Sequence, residues 1–225
     1  MRGTRRLVVF DCDGVLVDSE RLVIDIDVRA IRELGWQITR DEVIHRHLGM
    51  SVADVLVDIE DQTGQPVPEG WAEGWEEEYR CVFAERLEAV PGVLEAVRSL
   101  SGQGYAVCVA SSGSHEKIRR NLDRTGLRGL LGDALFSSSD VPNGKPAPDL
   151  FLHAASTLGF DPRDCVVVED SRHGVAAARA AGMWVVGYAG GVTPESHLTG
   201  ADAVITEMCE LPRTVQAVLA RPSRA

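Results

Sequence analysis

Short apolar runs rich in β-branched residues recur along the chain, and each stops at turn residues before a helical pattern begins. They fall at 7–10, 106–110, 165–168, 184–188 and 203–205, with a weaker one at 134–136. Helical patterns over 93–100, 116–125, 149–158 and 175–181 lie between them, the last closed by Gly182. Alternating strand and helix is the signature of an α/β fold, here a doubly wound parallel sheet. The alternation breaks once. Residues 20–34, 40–47, 52–62 and 71–87 read as helix after helix, with no strand run for about 70 residues, far beyond an ordinary crossover. The expected organisation is a sheet core from residues 1–17 and 89–225, with an all-helical subdomain inserted at 18–88 after the first strand. Such an insert leaves and returns near the end of the first strand, where a hinged unit acts as a lid. Trp36, Trp71 and Trp75 fall in it and are expected to form its core.

The 225 residues carry a formal net charge of -11, which argues against nucleic acid or an anionic membrane as the main partner. The five cysteines, Cys12, Cys81, Cys108, Cys165 and Cys209, are scattered and lack a C-x-x-C pair. They read as small hydrophobes in a reducing compartment. The apolar run behind the basic N-terminus is too short for a signal sequence, and none approaches the ~18 residues of a membrane span. A soluble cytoplasmic protein is expected, and of the oligomeric states a monomer is favoured.

Four clusters at strand ends carry chemistry. The run Leu7 to Phe10 stops at Asp11-Cys12-Asp13-Gly14, two acids spaced i and i+2. In an open parallel sheet ligands bind at the carboxyl edge of the strands, so this pair is placed to hold a divalent cation or to act as acid and base. Val109-Ala110-Ser111-Ser112-Gly113-Ser114 ends a strand in hydroxyls and a glycine before a helix. It is either an anion cradle or a simple helix cap by Ser112 or Ser114. In Asn143-Gly144-Lys145-Pro146-Ala147-Pro148-Asp149 the proline biases Lys145 toward an extended backbone. That backbone could aim its ammonium at the sheet edge, with Asp149 capping the next helix; the plain alternative is a surface lysine. Val166-Val167-Val168-Glu169-Asp170-Ser171 ends a strand in two acids, with Gly174 allowing close backbone approach. Unpaired buried carboxylates are costly, and a divalent cation removes that cost. Together these groups suit a phosphoryl group with oxygen ligands for Mg²⁺.

These motifs, in this order and with the helical insert after the first strand, resemble the haloacid dehalogenase superfamily over nearly the whole chain. The similarity is to the branch of β-phosphoglucomutase and the small sugar-phosphate phosphatases. Phe10 to Glu20 resembles the first motif, Ser111 the second, Gly144-Lys145-Pro146 the third, and Val168-Glu169-Asp170-Ser171 with Gly174 the fourth. The resemblance implies a Rossmann-like core, an inserted cap and Mg²⁺. It implies that Asp11 attacks phosphorus and becomes an aspartyl phosphate, while Asp13 protonates the leaving alcohol and then activates water. It implies that Mg²⁺ is bound by Asp11, the Asp13 carbonyl and Asp170, with Glu169 as ligand or nearby support. Ser111, with Ser112 and Gly113, would hold phosphoryl oxygens, and Lys145 would offset charge between Asp11 and phosphate.

An acid at position 13 fits phosphoryl transfer rather than dehalogenation in this family. Phosphonate cleavage there uses a cap lysine, and residues 19–80 contain none. The mutase grips a second phosphate with basic side chains, yet Val52 and Ser114 stand where an arginine and a lysine would sit. A phosphatase of a small sugar or sugar-acid phosphate is therefore the expectation, with the mutase and a non-catalytic phosphometabolite-binding module as alternatives. Gly49, Met50 and Ser51 are the expected cap contacts to substrate. His45, Arg46, His47 and Arg80 read as solvated helix faces, and Arg172 and His173 as exposed loop residues.

Overall fold

A computed structural model describes residues 5–47, 50 and 52–222. The chain divides into two compact units: one holds the sequence up to Asp18 and from Glu88 onward, the other runs from Ser19 to Leu87. β1 (Leu7–Phe10) opens the larger unit. The smaller unit contributes α1 (Glu20–Glu33), α2 (Arg40–Arg46), α3 (Val52–Thr63) and α4 (Trp71–Arg86). The larger unit resumes with α5 (Val93–Gly102), β2 (Ala106–Ser111), α6 (His115–Arg124), α7 (Arg128–Leu131), β3 (Leu135–Ser137) and α8 (Asp149–Leu158). β4 (Cys165–Glu169), α9 (Arg172–Ala180), β5 (Trp184–Tyr188), β6 (Ala203–Ile205) and α10 (Leu211–Leu219) complete it.

Among the described residues the strands form one parallel sheet of order β3-β2-β1-β4-β5-β6. Chain order reverses around β1, and ligands bind at that switch point in doubly wound sheets. Phe10 pairs with Val109 on one side and Val168 on the other. The residues following it therefore emerge level with the ends of β2 and β4. Before the polar ends at Ser111, Ser137 and Glu169 the strands are largely apolar, and β1, β4 and β5 are buried along their whole length because both faces are covered. Leu7, Val9, Cys108, Ala110, Cys165, Val167 and Val185 pack with Leu150, Phe151, Ala154, Ala177 and Ala178 of α8 and α9. Val8, Phe10, Val109, Val166, Val168 and Val186 are buried on the other face, where α5 lies on β2 and α10 on β5. Each fully buried Val, Leu or Phe contributes about 1.5–3 kcal/mol.

Several element ends differ from the sequence reading. The Ser114 hydroxyl accepts the Lys117 N–H, so α6 starts at His115. The Ser171 hydroxyl accepts the Gly174 N–H, so α9 starts at Arg172 rather than 175. Asp149 is not a cap but the first residue of α8, behind Pro148, and its carboxylate accepts the Asn143 amide at 2.9 Å. Val17 bridges both Asp13 and Ala89, so the strands of chain leading out to and back from the helical insert run side by side. No helix among the described residues is long and apolar enough to cross a membrane.

The smaller unit is held by amphipathic packing. α1 buries Ile24, Ile26, Ala30 and Ile31 and packs on α2 and α4. Thr39 and Glu42 form a reciprocal capping box at the start of α2. His45 and Arg80 are exposed as expected, but His47 is buried. Its Nε2 lies 2.9 Å from Asp58 Oδ2, and its ring meets Trp36 edge-on at 5.6 Å. Arg46 also binds Asp58, at 3.0 and 2.5 Å, and lies over Trp36. The solvated-face reading of His47 fails because Asp58 and Trp36 satisfy it in place of water. Trp36, Trp71 and Trp75 are half-buried rather than core, with Arg29 stacked over Trp75.

Candidate active site

β1 delivers Asp11 to the carboxyl edge, where its N–H donates to the Val168 carbonyl at 3.0 Å. That bond extends the β1–β4 ladder by one step and fixes the Asp11 backbone beside Glu169. Lys145, from the loop before α8, donates to Asp11 Oδ1 and Glu169 Oε1, both at 2.5 Å. Its side chain is 5% exposed, and its ammonium lies 4.9 Å from the centroid of the Phe151 ring. Glu169 Oε2 accepts from the Ser171 N–H at 2.8 Å and the Ser171 hydroxyl at 2.9 Å. A Cβ at position 174 would meet Glu169 Oε1 at 1.8 Å, so only glycine leaves room for this carboxylate.

Burial opposes charge on Lys145, but Asp11 and Glu169 outweigh it and hold its pKa above the ordinary lysine value. Burial pushes the Asp11 carboxyl up; Lys145 pulls against this, and Glu169 adds to the rise. Cys12 beside it is buried, which raises its thiol pKa and leaves it unreactive.

Asp170 follows β4 and accepts the Thr193 hydroxyl at 3.2 Å; Thr193 sits in the loop after β5. Asp13 Oδ2 accepts from Lys117 Nζ at 2.8 Å. The Ser111 hydroxyl oxygen accepts the Gly113 N–H at 3.1 Å. That N–H is thus engaged within the loop, and of the two serines offered as a helix cap it is Ser114 that serves. Ser112 is exposed. The Ser112 and Gly113 carbonyls accept the hydroxyls of Ser138 and Ser137, each at 2.7 Å, pinning the loop to the end of β3.

Asp11, Lys145 and Glu169 therefore converge, with Asp13, Ser111 and Asp170 at neighbouring strand ends. Of the three cap candidates, Met50 is half-exposed in the smaller unit, and Gly49 and Ser51 lie outside the described residues. Lys117, Ser137, Ser138 and Thr193 were not singled out from sequence. The signals were there: the Ser-Ser-Ser-Asp end of β3, the Gly-Gly-Val-Thr run after β5, and a lysine in the first turn of α6. The last also revises the charge argument made at Ser114, because Lys117 restores a cation beside the second motif.

Among the described residues no three His, Cys, Asp or Glu side chains already form a metal cage. The donor set still fits a hard divalent cation. Asp11, Glu169 and Asp170 are 7%, 1% and 3% exposed, and the buried Lys145 offsets only part of their charge. All available donors are oxygen, as Mg²⁺ requires.

The sequence pattern of the haloacid dehalogenase-like hydrolases matches residues 5–182. The chain belongs to that family. This hydrolase is similar to the 6-phosphogluconate phosphatase of Escherichia coli, 31% identical over 79% of this chain and 80% of that protein. It is 37% identical to Suppressor of quenching 1, a chloroplast protein of Arabidopsis thaliana, over 80% of its own length but only 17% of the plant protein's. Among solved structures, a haloacid dehalogenase-like protein of unknown function from Agrobacterium tumefaciens superposes with a TM-score of 0.86. It is 35% identical, covering 95% of this chain and 98% of that one.

Proposed function

We propose that this hydrolase is a cytoplasmic, Mg²⁺-dependent phosphatase acting on a small sugar or sugar-acid phosphate through an aspartyl phosphate on Asp11. The observation that carries the reading is the Lys145 ammonium bonded to both Asp11 and Glu169. It joins three strand-end motifs at one buried point. The similarity to a 6-phosphogluconate phosphatase supports the substrate class.

In the first half-reaction an Asp11 carboxylate oxygen forms a bond to phosphorus as the bond to the alcohol oxygen breaks. Asp13 gives its proton to that oxygen. In the second, Asp13 takes a proton from water, which attacks phosphorus and releases Asp11 and inorganic phosphate. Lys145 screens the Asp11 carboxylate from the phosphoryl charge. Accepting the Gly113 N–H leaves the Ser111 hydroxyl its own proton to donate to a phosphoryl oxygen. Asp11, Asp170, the Asp13 carbonyl and Glu169, as ligand or support, would hold Mg²⁺, which supplies charge neutralisation between nucleophile and phosphate. The smaller unit, with Gly49, Met50 and Ser51, is the proposed lid and source of selectivity.

The test is p-nitrophenyl phosphate hydrolysis followed by a screen of phosphorylated metabolites ranked by kcat/KM. Release with Mg²⁺ that stops with EDTA is expected. No metal-dependent release from folded protein overturns the reading in favour of a binding module. Phosphosugar interconversion that needs a bisphosphate activator overturns it in favour of a mutase.

A further inference from the structure

We propose that Lys117 is a positioning residue for Asp13, acting on the proton transfers Asp13 makes, to the leaving oxygen and then from water. This rests on the phosphatase reading above.

The two residues are 104 positions apart, yet Lys117 Nζ stands 2.8 Å from Asp13 Oδ2. The lysine stem reaches the acid by crossing Gly113, where a Cβ would meet Lys117 Cδ at 3.2 Å. The loop residue without a side chain thus sits where the stem passes. The Ser114 hydroxyl accepts the Lys117 N–H at 3.3 Å and fixes the first turn from which the side chain projects. A lysine in that turn faces the positive end of the helix dipole, an arrangement that costs a helix stability. A local rule broken in this way marks a functional position, and Asp13 supplies the compensating charge. Lys145 plays a different part, being 5% exposed between Asp11 and Glu169, whereas the Lys117 and Asp13 side chains are 35% and 26% exposed. One lysine serves the nucleophile in the interior, and the other holds the acid where an alcohol leaves toward solvent. An acid held by an ion pair keeps the orientation that proton transfer needs; an untethered one rotates away from it.

Leaving-group chemistry separates this role from others. p-Nitrophenolate departs with little need of a proton, whereas an alkoxide needs one. Lys117→Met is expected to lower kcat on an alkyl phosphate by about 10- to 50-fold, a part of the roughly 10²–10⁴-fold that a positioned general acid supplies. KM for that substrate and the first-turnover burst of p-nitrophenolate, which needs no proton from Asp13, should change less than about threefold by the same reasoning. Lys117→Arg should recover most of the loss. In an Asp13→Ala background, Lys117→Met should add nothing further, since the lysine acts through that carboxylate. An equal loss in the first-turnover burst of p-nitrophenolate, or additive losses in the double variant, overturn the role of Lys117 and leave the phosphatase reading standing. No phosphate release by the wild-type protein overturns both.

Discussion

The carboxyl edge of the sheet and the helical unit each hold a charge network around a buried residue, and the two are built on opposite plans. At the sheet edge the buried Lys145 ammonium bonds two of three buried carboxylates, Asp11 and Glu169, which lie 134 and 24 positions away from it. In the helical unit Arg46 and His47 both bind Asp58, 12 and 11 positions away. There the Arg46 and Asp58 side chains are 40% and 20% exposed. A local network that touches solvent asks little of the fold and returns little. A buried excess of like charge is costly to keep, so its persistence is explained by chemistry. The contrast predicts that substitutions at the sheet edge cost activity, whereas those in the helical network cost only stability.

The largest effect is expected from Asp11→Asn. Loss of the attacking oxygen should lower turnover by roughly 10³-fold or more. Because the amide retains the shape of the carboxyl, circular dichroism and Tm should stay close to wild type. Near-wild-type turnover would remove Asp11 from the nucleophile role. A collapse of Tm would instead make Asp11 a structural residue like Asp58.

The same substitution in the two regions should have opposite signs. Alanine at Gly174 would place a Cβ 1.8 Å from Glu169 Oε1, forcing that carboxylate away from Lys145. A displacement of about 1 Å at a reacting centre costs on the order of 100-fold in activity. Gly74 lies in α4 with a helical backbone, and a Cβ there would meet no atom within 4 Å. Gly74→Ala should stabilise the helical unit by about 0.5–1 kcal/mol through helix propensity alone, with kcat/KM unchanged. Loss of stability at Gly74, or retained activity at Gly174, would erase the distinction between the regions.

Much of this division is legible in the chain. Strands buried on both faces announce themselves as apolar runs, and their ends locate Asp11, Ser111, Glu169 and Asp170 before any coordinates. Lys145 is legible through the proline that follows it. What escapes the sequence is set by partners distant in the chain. Lys117 looks like an ordinary helix lysine until Asp13 is seen across from it. His47 looks solvated because the Asp58 that satisfies it lies on the next helix. Gly174 reads as a site of close backbone approach, but what occupies the space is a carboxylate five residues earlier.

The smallest effect, and the finest probe of the helical network, is its response to pH. The Arg46 hydrogen bond holds the Asp58 carboxyl below its ordinary value, with burial opposing and His47 assisting. A carboxyl whose folded pKa lies below its unfolded value stabilises the fold fully above the unfolded value, about 3.9 for aspartate. That contribution fades as pH falls through the folded value. Asp58→Asn removes it, so wild type should exceed the variant by up to about 1 kcal/mol at neutral pH. Three of the four tryptophans, Trp36, Trp71 and Trp75, lie in this unit, so intrinsic fluorescence reports its unfolding directly. The difference in Tm between the two proteins should narrow below about pH 4, as the ordinary aspartate pKa requires, while their kcat/KM values stay equal at pH 7. A Tm difference that is the same at pH 7 and pH 3 would show that the Asp58 carboxylate charge contributes nothing and that shape alone holds His47. An accompanying loss of activity at pH 7 would tie the helical network to catalysis and end the contrast with the sheet edge.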